Sequence, residues 1–393
     1  MRQVPFHKNR ILSFQRVKSK SKLLLFVVLF LILFVAPKKA YGAEEKTIDN
    51  SDFDYNEIQK VIDDVLNSHE KINFEEYVTG LVTGETKFSL KDIGNDIKTG
   101  IINEIKANIG TLTSLISIAI VAAVFTNFSH AFSNSQVAET GFYVAYLLLF
   151  SILTGSFISA ATMASETLSQ VLNFMKALIP AYFLSVAFCS SAGTSLVYYQ
   201  ATLFLITFVD ILLIKVVIPM INIYLIVSMA NNITKEDFLS KLTELLSQIV
   251  KWLLKSLLAL VVGFNTIQGL ILPVADHIKK STLLKAAGAI PGVGDVLGTV
   301  TESVIGAGIL LKNAIGVAGV VVIIIVCAIP VLKLTVTTLI YRVSSAAVQP
   351  ISDKRMLNCV VASAEASTLL LQTILVGGVL FLLTITIIAA STT

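Results

Sequence analysis

The stretch from Leu196 to Ala230 reads LVYYQATLFLITFVDILLIKVVIPMINIYLIVSMA, and nearly all of its 35 residues are apolar. A membrane-spanning helix needs about 20 apolar residues, so this stretch is longer than one span. It also contains Asp210, Lys215 and Pro219. We interpret it as two spanning segments that are broken between Lys215 and Pro219, because proline removes a helical hydrogen bond.

The composition of the whole chain is that of a membrane protein. Of its 393 residues, 55% are hydrophobic and 14% are charged, and the mean hydropathy is +0.80. Soluble proteins average about 25% charged residues, so lipid must solvate much of this chain. The predicted fold class is therefore an all-α polytopic membrane protein.

Other apolar runs bring the prediction to about seven transmembrane helices within residues 110–393. Each run has roughly the length of one span. They lie near residues 111–132, 141–163, 171–190, 250–272, 314–341 and 361–390. The basic residues of 231–249 and 342–355 predict that both loops are cytoplasmic, which leaves the loop at 273–313 external despite its four lysines.

The first 42 residues have the three parts of a secretion signal. Nine Lys and Arg fall in residues 1–42, and the 14 residues from Leu23 to Ala36 are all apolar. Small residues at Ala40 and Gly42 then provide a cleavage site. We predict a cleavable signal peptide over 1–42, with a retained signal anchor as the alternative. In both cases the mature N-terminus is extracytoplasmic.

Without this leader, the chain has 21 basic and 26 acidic residues, a net charge of −5. Nucleic-acid binding needs a clustered basic face, so that class of partner is excluded. Cys189, Cys327 and Cys359 form no C-x-x-C pair, and the four histidines have no metal-ligand spacing. The sequence therefore predicts no catalytic residue, no cofactor and no metal site.

An acidic helical segment is predicted over residues 43–109, before the first span. Residues 44–106 contain 15 of the 26 acidic residues and seven lysines. Apolar residues recur every three or four positions from Ile58, a second helix follows from Asn73 to about Gly84, and a third begins after Ser89. We expect this segment to be an extracytoplasmic collar of helices, and the third helix to run straight into the first span.

Ionisable residues inside apolar segments are candidates for a polar path through the membrane. The candidates are Asp210, Lys215, Lys333 and Glu365. Asp210 and Lys215 are five positions apart, which puts them on different faces of a regular helix. They form no local ion pair unless the chain breaks between them.

Prolines recur in a pattern within the apolar segments. Lys176-x-x-Ile179-Pro180 matches Lys215-x-x-Ile218-Pro219 at a spacing of 39, and Ile329-Pro330 resembles both. Helices kinked by proline are tolerated in membranes where neighbours satisfy the freed carbonyls. The pattern is typical either of a pore or transport site or of ordinary packing kinks.

The region 286–319 is rich in glycine and is predicted to be a re-entrant hairpin or an amphipathic helical region. Gly288-x-x-x-Gly292 and Gly294-x-x-x-Gly298 allow helices to approach closely. Gly292-x-Gly294 lacks the preceding strand and the spacing of a nucleotide-binding loop. We expect close packing here, within the chain or between subunits.

Several motifs between residues 286 and 355 resemble the stage III sporulation protein AE family of endospore-forming bacteria. In order, they are Gly288-Ala-Ile-Pro291-x-Val-Gly294, Leu310-Leu-Lys312-Asn313-Ala-x-Gly316, Pro330-x-x-Lys333 and Gln349-Pro350-x-x-Asp353-x-Arg355. The leader and the acidic segment are also similar to that family. The residues proposed for helix packing or assembly are Gly288, Gly292, Gly294, Gly298, Pro330, Gln349, Pro350, Asp353 and Arg355.

The resemblance implies a multi-pass membrane component of the complex that links the mother cell to the engulfed forespore. Its expected place is the mother-cell membrane around the forespore. The implied partners are the other stage III sporulation A-operon membrane proteins and, indirectly, a forespore membrane partner. The family has no established catalytic residues. The alternative is a secondary transporter with its site at the proline-broken helices.

Overall fold

The computed structural model describes residues 55–66, 73–83, 90–131, 135–189, 192–233, 238–287, 294–350 and 352–391, all within one compact unit, residues 50–393. The predicted signal peptide, Gly288 and Gly292 lie outside the described residues. In the described part the secondary structure is helical. The helices are α1 Asn56–Leu66, α2 Phe74–Thr83, α3 Leu90–Ala131, α4 Ser135–Cys189, α5 Ala192–Leu212, a π-helix Leu213–Val217, α6 Ile218–Ile233, α7 Ser240–Ala287, α8 Gly294–Val348 and α9 Lys354–Ser391.

The first two helices bury the apolar stripes that the sequence predicts, α1 mainly against α4 and α2 mainly against α8. Ile58 on α1 and Phe74 on α2 are buried, and the Gln59 side chain accepts a hydrogen bond from the Phe74 amide at 2.9 Å. Asn73 caps α2, because its side-chain oxygen accepts the Glu76 amide at 3.1 Å. The predicted second helix is confirmed.

The tyrosine that precedes α1 contacts the first residue of α2. The Tyr55 ring lies 5.8 Å from that of Phe74. Burial, together with the nearby Glu75 carboxylate, raises the pKa of Tyr55 to about 12. The Tyr55 hydroxyl is therefore neutral at physiological pH.

Helix α3 confirms the prediction that the third helix of the acidic segment continues into the first span. It is 42 residues long, and residues Ile102–Val121 form a candidate membrane span. No break separates the polar first turns from the apolar part.

Helix α4 is one continuous helix of 55 residues, so the predicted separation of spans at 141–163 and 171–190 is wrong. The residues between them, such as Ser165 and Glu166, are polar but do not stop a helix, and hydropathy alone cannot distinguish a polar face from a loop. Pro180 also lies inside the helix.

The predicted break between Lys215 and Pro219 is also wrong, and a π-helix takes its place. The Ile218 amide bonds the carbonyl of Leu213, five residues back. A π-turn of this kind inserts one extra residue into a helix. It lies directly before Pro219, which cannot donate to the preceding turn, so the axis continues from α5 into α6.

The glycine-rich region enters a long helix. In the described part, residues 294–319 are the first half of α8, which continues to Val348 through Pro330. No hairpin interrupts those residues. Helix α8 packs mainly on α9 and α4.

Small side chains let these long helices approach one another. Helix α9 buries five small residues on either side of the half-buried Glu365: Ala362, Ser363, Ala364, Ala366 and Ser367. A β-carbon on Gly377 would lie 2.5 Å from Leu168 Cδ2, and one on Gly319 would lie 2.6 Å from Leu178 Cδ2.

Six helical segments in the described part are long and apolar enough to cross a membrane. The prediction was about seven. The segment in α4 is 49 residues long, or about 73 Å at 1.5 Å per residue. A hydrocarbon core is about 30 Å thick. To lie wholly inside it, the segment would have to tilt by about 65° from the membrane normal, whereas a tilt of about 20° is usual. Helix α4 therefore extends beyond the hydrocarbon core.

Candidate functional site

A polar junction joins the end of α6 to the beginnings of α4 and α9. The Asp353 carboxylate caps α9 by accepting the Arg355 amide at 2.8 Å. The Arg355 guanidinium donates to the carbonyl of Ile233, the last residue of α6, at 3.2 Å. Its central carbon lies 3.6 Å from the centre of the Phe142 ring on α4. One arginine thus binds the ends of three helices.

Asparagines at the end of α6 extend this junction. The Asn231 side chain accepts the Leu239 amide at 2.7 Å and so holds the chain that enters α7. The Asn358 amide group donates to the Asn232 side chain at 3.4 Å, which links α9 to α6. The sequence indicated Asp353 and Arg355, but nothing in the residue pattern indicated that these asparagines lie beside them.

A buried tyrosine on α4 also contacts α6 and α9 at the junction. The Tyr146 hydroxyl on α4 hydrogen-bonds the Met229 carbonyl and lies 2.8 Å from Cys359 Sγ on α9.

The junction brings residue 233 next to residue 355. Residues 231–249 and 342–355 were predicted to lie on one side of the membrane, and the contact agrees with that pairing.

The other predicted assembly residues lie in different places. Gln349 and Pro350 are exposed in the turn after α8. Gly294 is the first residue of α8 and Gly298 follows in its second turn. Pro330 lies inside the same helix.

Asp210 is a half-buried carboxylate at the end of α5. Its Oδ1 atom is buried and has no hydrogen-bond partner among the described residues. Lys176 on α4 and Lys215 in the π-helix both attract it, and both lysines are exposed. The two Lys-x-x-Ile-Pro matches in the sequence therefore place their lysines near the same carboxylate.

Glu365 and Lys333 occupy separate positions. The Glu365 carboxylate on α9 accepts a hydrogen bond from Lys251 Nζ on α7 at 2.6 Å. Both side chains of this ion pair are at least about a third exposed. Lys333 is exposed on α8. No ion pair joins any two of the four residues proposed for a polar path.

Two further buried polar side chains were not among the predicted site residues. Lys312 is completely buried within α8, although the loop prediction placed it outside the membrane. On α7, Asn265 is also fully buried and donates to the Thr384 hydroxyl on α9 at 3.0 Å. The signal for Asn265 is its place in the buried stripe of Leu257 and Val261, which repeats every three or four residues.

In the part of the chain that the structure describes, no three His, Cys, Asp or Glu side chains are grouped to hold a metal ion. No solved structure matches the chain.

Comparison with known proteins identifies the family. The sequence model of the stage III sporulation protein AE family matches residues 72–392, which is most of the chain. A stage III sporulation protein AE from Bacillus subtilis (strain 168) is 26% identical over 308 residues, covering 78% of this chain and 77% of the relative. The expected resemblance is confirmed: this chain belongs to the stage III sporulation protein AE family.

Proposed function

We propose that this protein is a membrane component of the channel or secretion-like complex that connects the mother cell with the forespore. Its role is in spore development after engulfment. Family membership supports a sporulation role, and the six apolar helical segments support a membrane location. The mother-cell membrane around the forespore is the proposed site.

One observation carries the assembly role. Lys215 and Lys333 are exposed, although each lies in a candidate membrane span. A charged side chain at the centre of a bilayer costs about 2.5–3.5 kcal/mol on insertion scales, and such residues usually face a protein interior or water. A single chain in lipid would bear that cost, whereas a chain surrounded by other subunits would not.

The acidic segment supports a partner on the outer face. Exposed acidic residues of α1 and α2 include Glu57, Asp64 and Glu75, and cleavage of the signal peptide would leave them outside the cytoplasm. We propose the other stage III sporulation A-operon membrane proteins as direct partners and a forespore membrane protein as an indirect one.

Sporulation efficiency tests the proposal. Cells that lack this protein should complete engulfment and then arrest. Complementation by Asp210→Asn or Lys333→Gln should be poor, whereas Glu57→Gln and Asp64→Asn on the collar serve as matched charge-removing controls. Normal spore yield from all four variants would contradict a role for charges within the spans, and normal yield without the protein would contradict the function.

A specific observation favours a second candidate function, a secondary transporter. The π-helix beside Asp210 and Pro219 resembles the interrupted helices that form ion and substrate sites in transporters. Purified protein alone in liposomes should move no solute if the complex is required. Solute uptake that disappears in Asp210→Asn would favour the transporter instead.

A further inference from the structure

The exposed face of α4 is polar over a length comparable to a bilayer. Its members recur every three or four positions, as residues on one face of a helix do. We name this set the α4 stripe: Ser151, Gly155, Ser159, Thr162, Glu166, Ser169, Asn173 and Lys176. All are exposed except the half-buried Ser169, and Ile158 is the large apolar residue on the same face. The α4 stripe is about 37 Å long.

The next helix has the opposite character. The exposed residues of α5 include Val197, Phe204 and Ile211, and Phe204 is 72% exposed. An apolar exposed face is what lipid requires, because it leaves no polar group unsolvated. The outer surface of the molecule thus has two chemically different faces on consecutive helices.

Depth along the membrane does not explain this difference. The Tyr341 hydroxyl donates to Ser156 Oγ at 2.7 Å, and Gly319 faces Leu178. Both contacts give the same antiparallel register between α4 and α8. At the depth of the α4 stripe, α8 exposes Ile324 and Leu339, which are 45% and 57% exposed.

Two members of the α4 stripe, Glu166 and Lys176, are charged, and Lys333 on α8 is also exposed. The same register places Lys333 level with Ala164, about 3 Å along the axis from Glu166. Glu166, Lys176 and Lys333 are all exposed, and none forms a salt bridge with a described residue, although Asp210 attracts Lys176. Lipid would leave three charges without solvation, whereas water would solvate them.

We propose that the α4 stripe, with Lys333 of α8 at the same depth, faces water in the assembled protein and forms the wall of a polar conduit. This inference rests on the proposed function and names the surface of the chain that lines the conduit. Hydroxyl groups, an amide and charges of both signs suit hydrated polar solutes rather than apolar ones. The faces of α5 and α8 with exposed Phe, Ile and Leu lie against lipid.

Thiol labelling tests which faces meet water. N-ethylmaleimide reacts with the thiolate, which forms only where water reaches the sulfur. Full-length Ser159→Cys, Thr162→Cys and Asn173→Cys proteins are labelled in membranes from sporulating cells, and labelling of the unaltered chain is subtracted. Ile324→Cys and Leu339→Cys are controls at the same depth.

The three stripe variants should react at least about tenfold faster than the two controls. Equal rates at stripe and control positions would overturn the proposal. Slow stripe labelling combined with disulfide cross-linking of Gly155→Cys between two copies would also overturn it, because the α4 stripe would then be a contact between copies.

The same variants reconstituted alone in liposomes separate this inference from the proposed function. Fast labelling of the stripe in both preparations, together with no partner bound to the protein from native membranes, would support a water-facing stripe and contradict the channel complex. Slow labelling in native membranes, with partners bound, would leave the complex intact and reject the α4 stripe as its lining. Fast labelling only in native membranes would support both.

Discussion

Replacing Arg355 by alanine removes three contacts at the junction of α4, α6 and α9. The lost contacts are the hydrogen bond to the Ile233 carbonyl at 3.2 Å, the stacking over Phe142 at 3.6 Å and the ion pair with Asp353 at 3.4 Å. A hydrogen bond to a charged group contributes about 1.5–3 kcal/mol, and a cation–π contact about 0.5–2 kcal/mol. We expect Arg355→Ala to destabilise the protein by about 3 kcal/mol.

Thermal unfolding of the full-length protein in detergent measures this effect. Arg355→Lys keeps the charge but loses the flat contact with the ring, so its loss should be about half as large. Arg342→Ala is the control, because Arg342 is exposed and its hydrogen bond to Thr368 is long, at 3.4 Å; its effect should stay within about 0.5 kcal/mol. Equal melting temperatures for Arg355→Ala and Arg342→Ala would refute the junction as a structural clamp.

Three further changes test the packing and charges. Gly377→Leu should lower the yield of folded protein in size-exclusion chromatography, because its β-carbon alone would lie 2.5 Å from a neighbouring leucine, whereas Gly263→Leu meets nothing within 4 Å and should be harmless. Lys251→Glu should reduce sporulation, and adding Glu365→Lys should restore it if their 2.6 Å ion pair matters; no recovery would exclude that pairing. The pKa of Tyr55 is raised to about 12, so its neutral hydroxyl stabilises the folded collar. This contribution is fully present below pH 10 and should be lost as the pH rises from 10 to about 12. Tyr55→Phe should lack this transition in a pH titration followed by limited proteolysis, and an identical profile would refute it.

The helical class and the placement of most helices could be predicted because they depend on local composition. The second predicted helix, from Asn73 to about Gly84, matches Phe74–Thr83 closely. Apolar runs near 250–272 and 314–341 fall inside α7 and α8. These features need only the periodicity of side chains and the cap residue.

The breaks between spans could not be predicted in the same way. A dip in hydropathy marked the region around Glu166 as a gap, but polar residues there occupy the exposed face of an unbroken helix. Pro219 suggested a break, and the π-helix before it absorbed the missing donor instead. Both outcomes depend on neighbouring helices that a sequence window does not contain.

Only part of the junction could be predicted from the sequence, for a similar reason. Asp353 and Arg355 stand in a recognisable motif, but Phe142 and Ile233 reach them through tertiary packing. Lys312 is another case, since a lysine is ordinarily exposed and this one is fully buried.

This protein is proposed to work as part of a sporulation membrane complex. Affinity purification of the tagged chain from detergent-solubilised membranes of sporulating cells, with mass spectrometry of bound proteins, identifies what it binds. We predict recovery of the other stage III sporulation A-operon membrane proteins. A chain recovered alone or only with its own copies, in a detergent that preserves other membrane complexes, would contradict the claim.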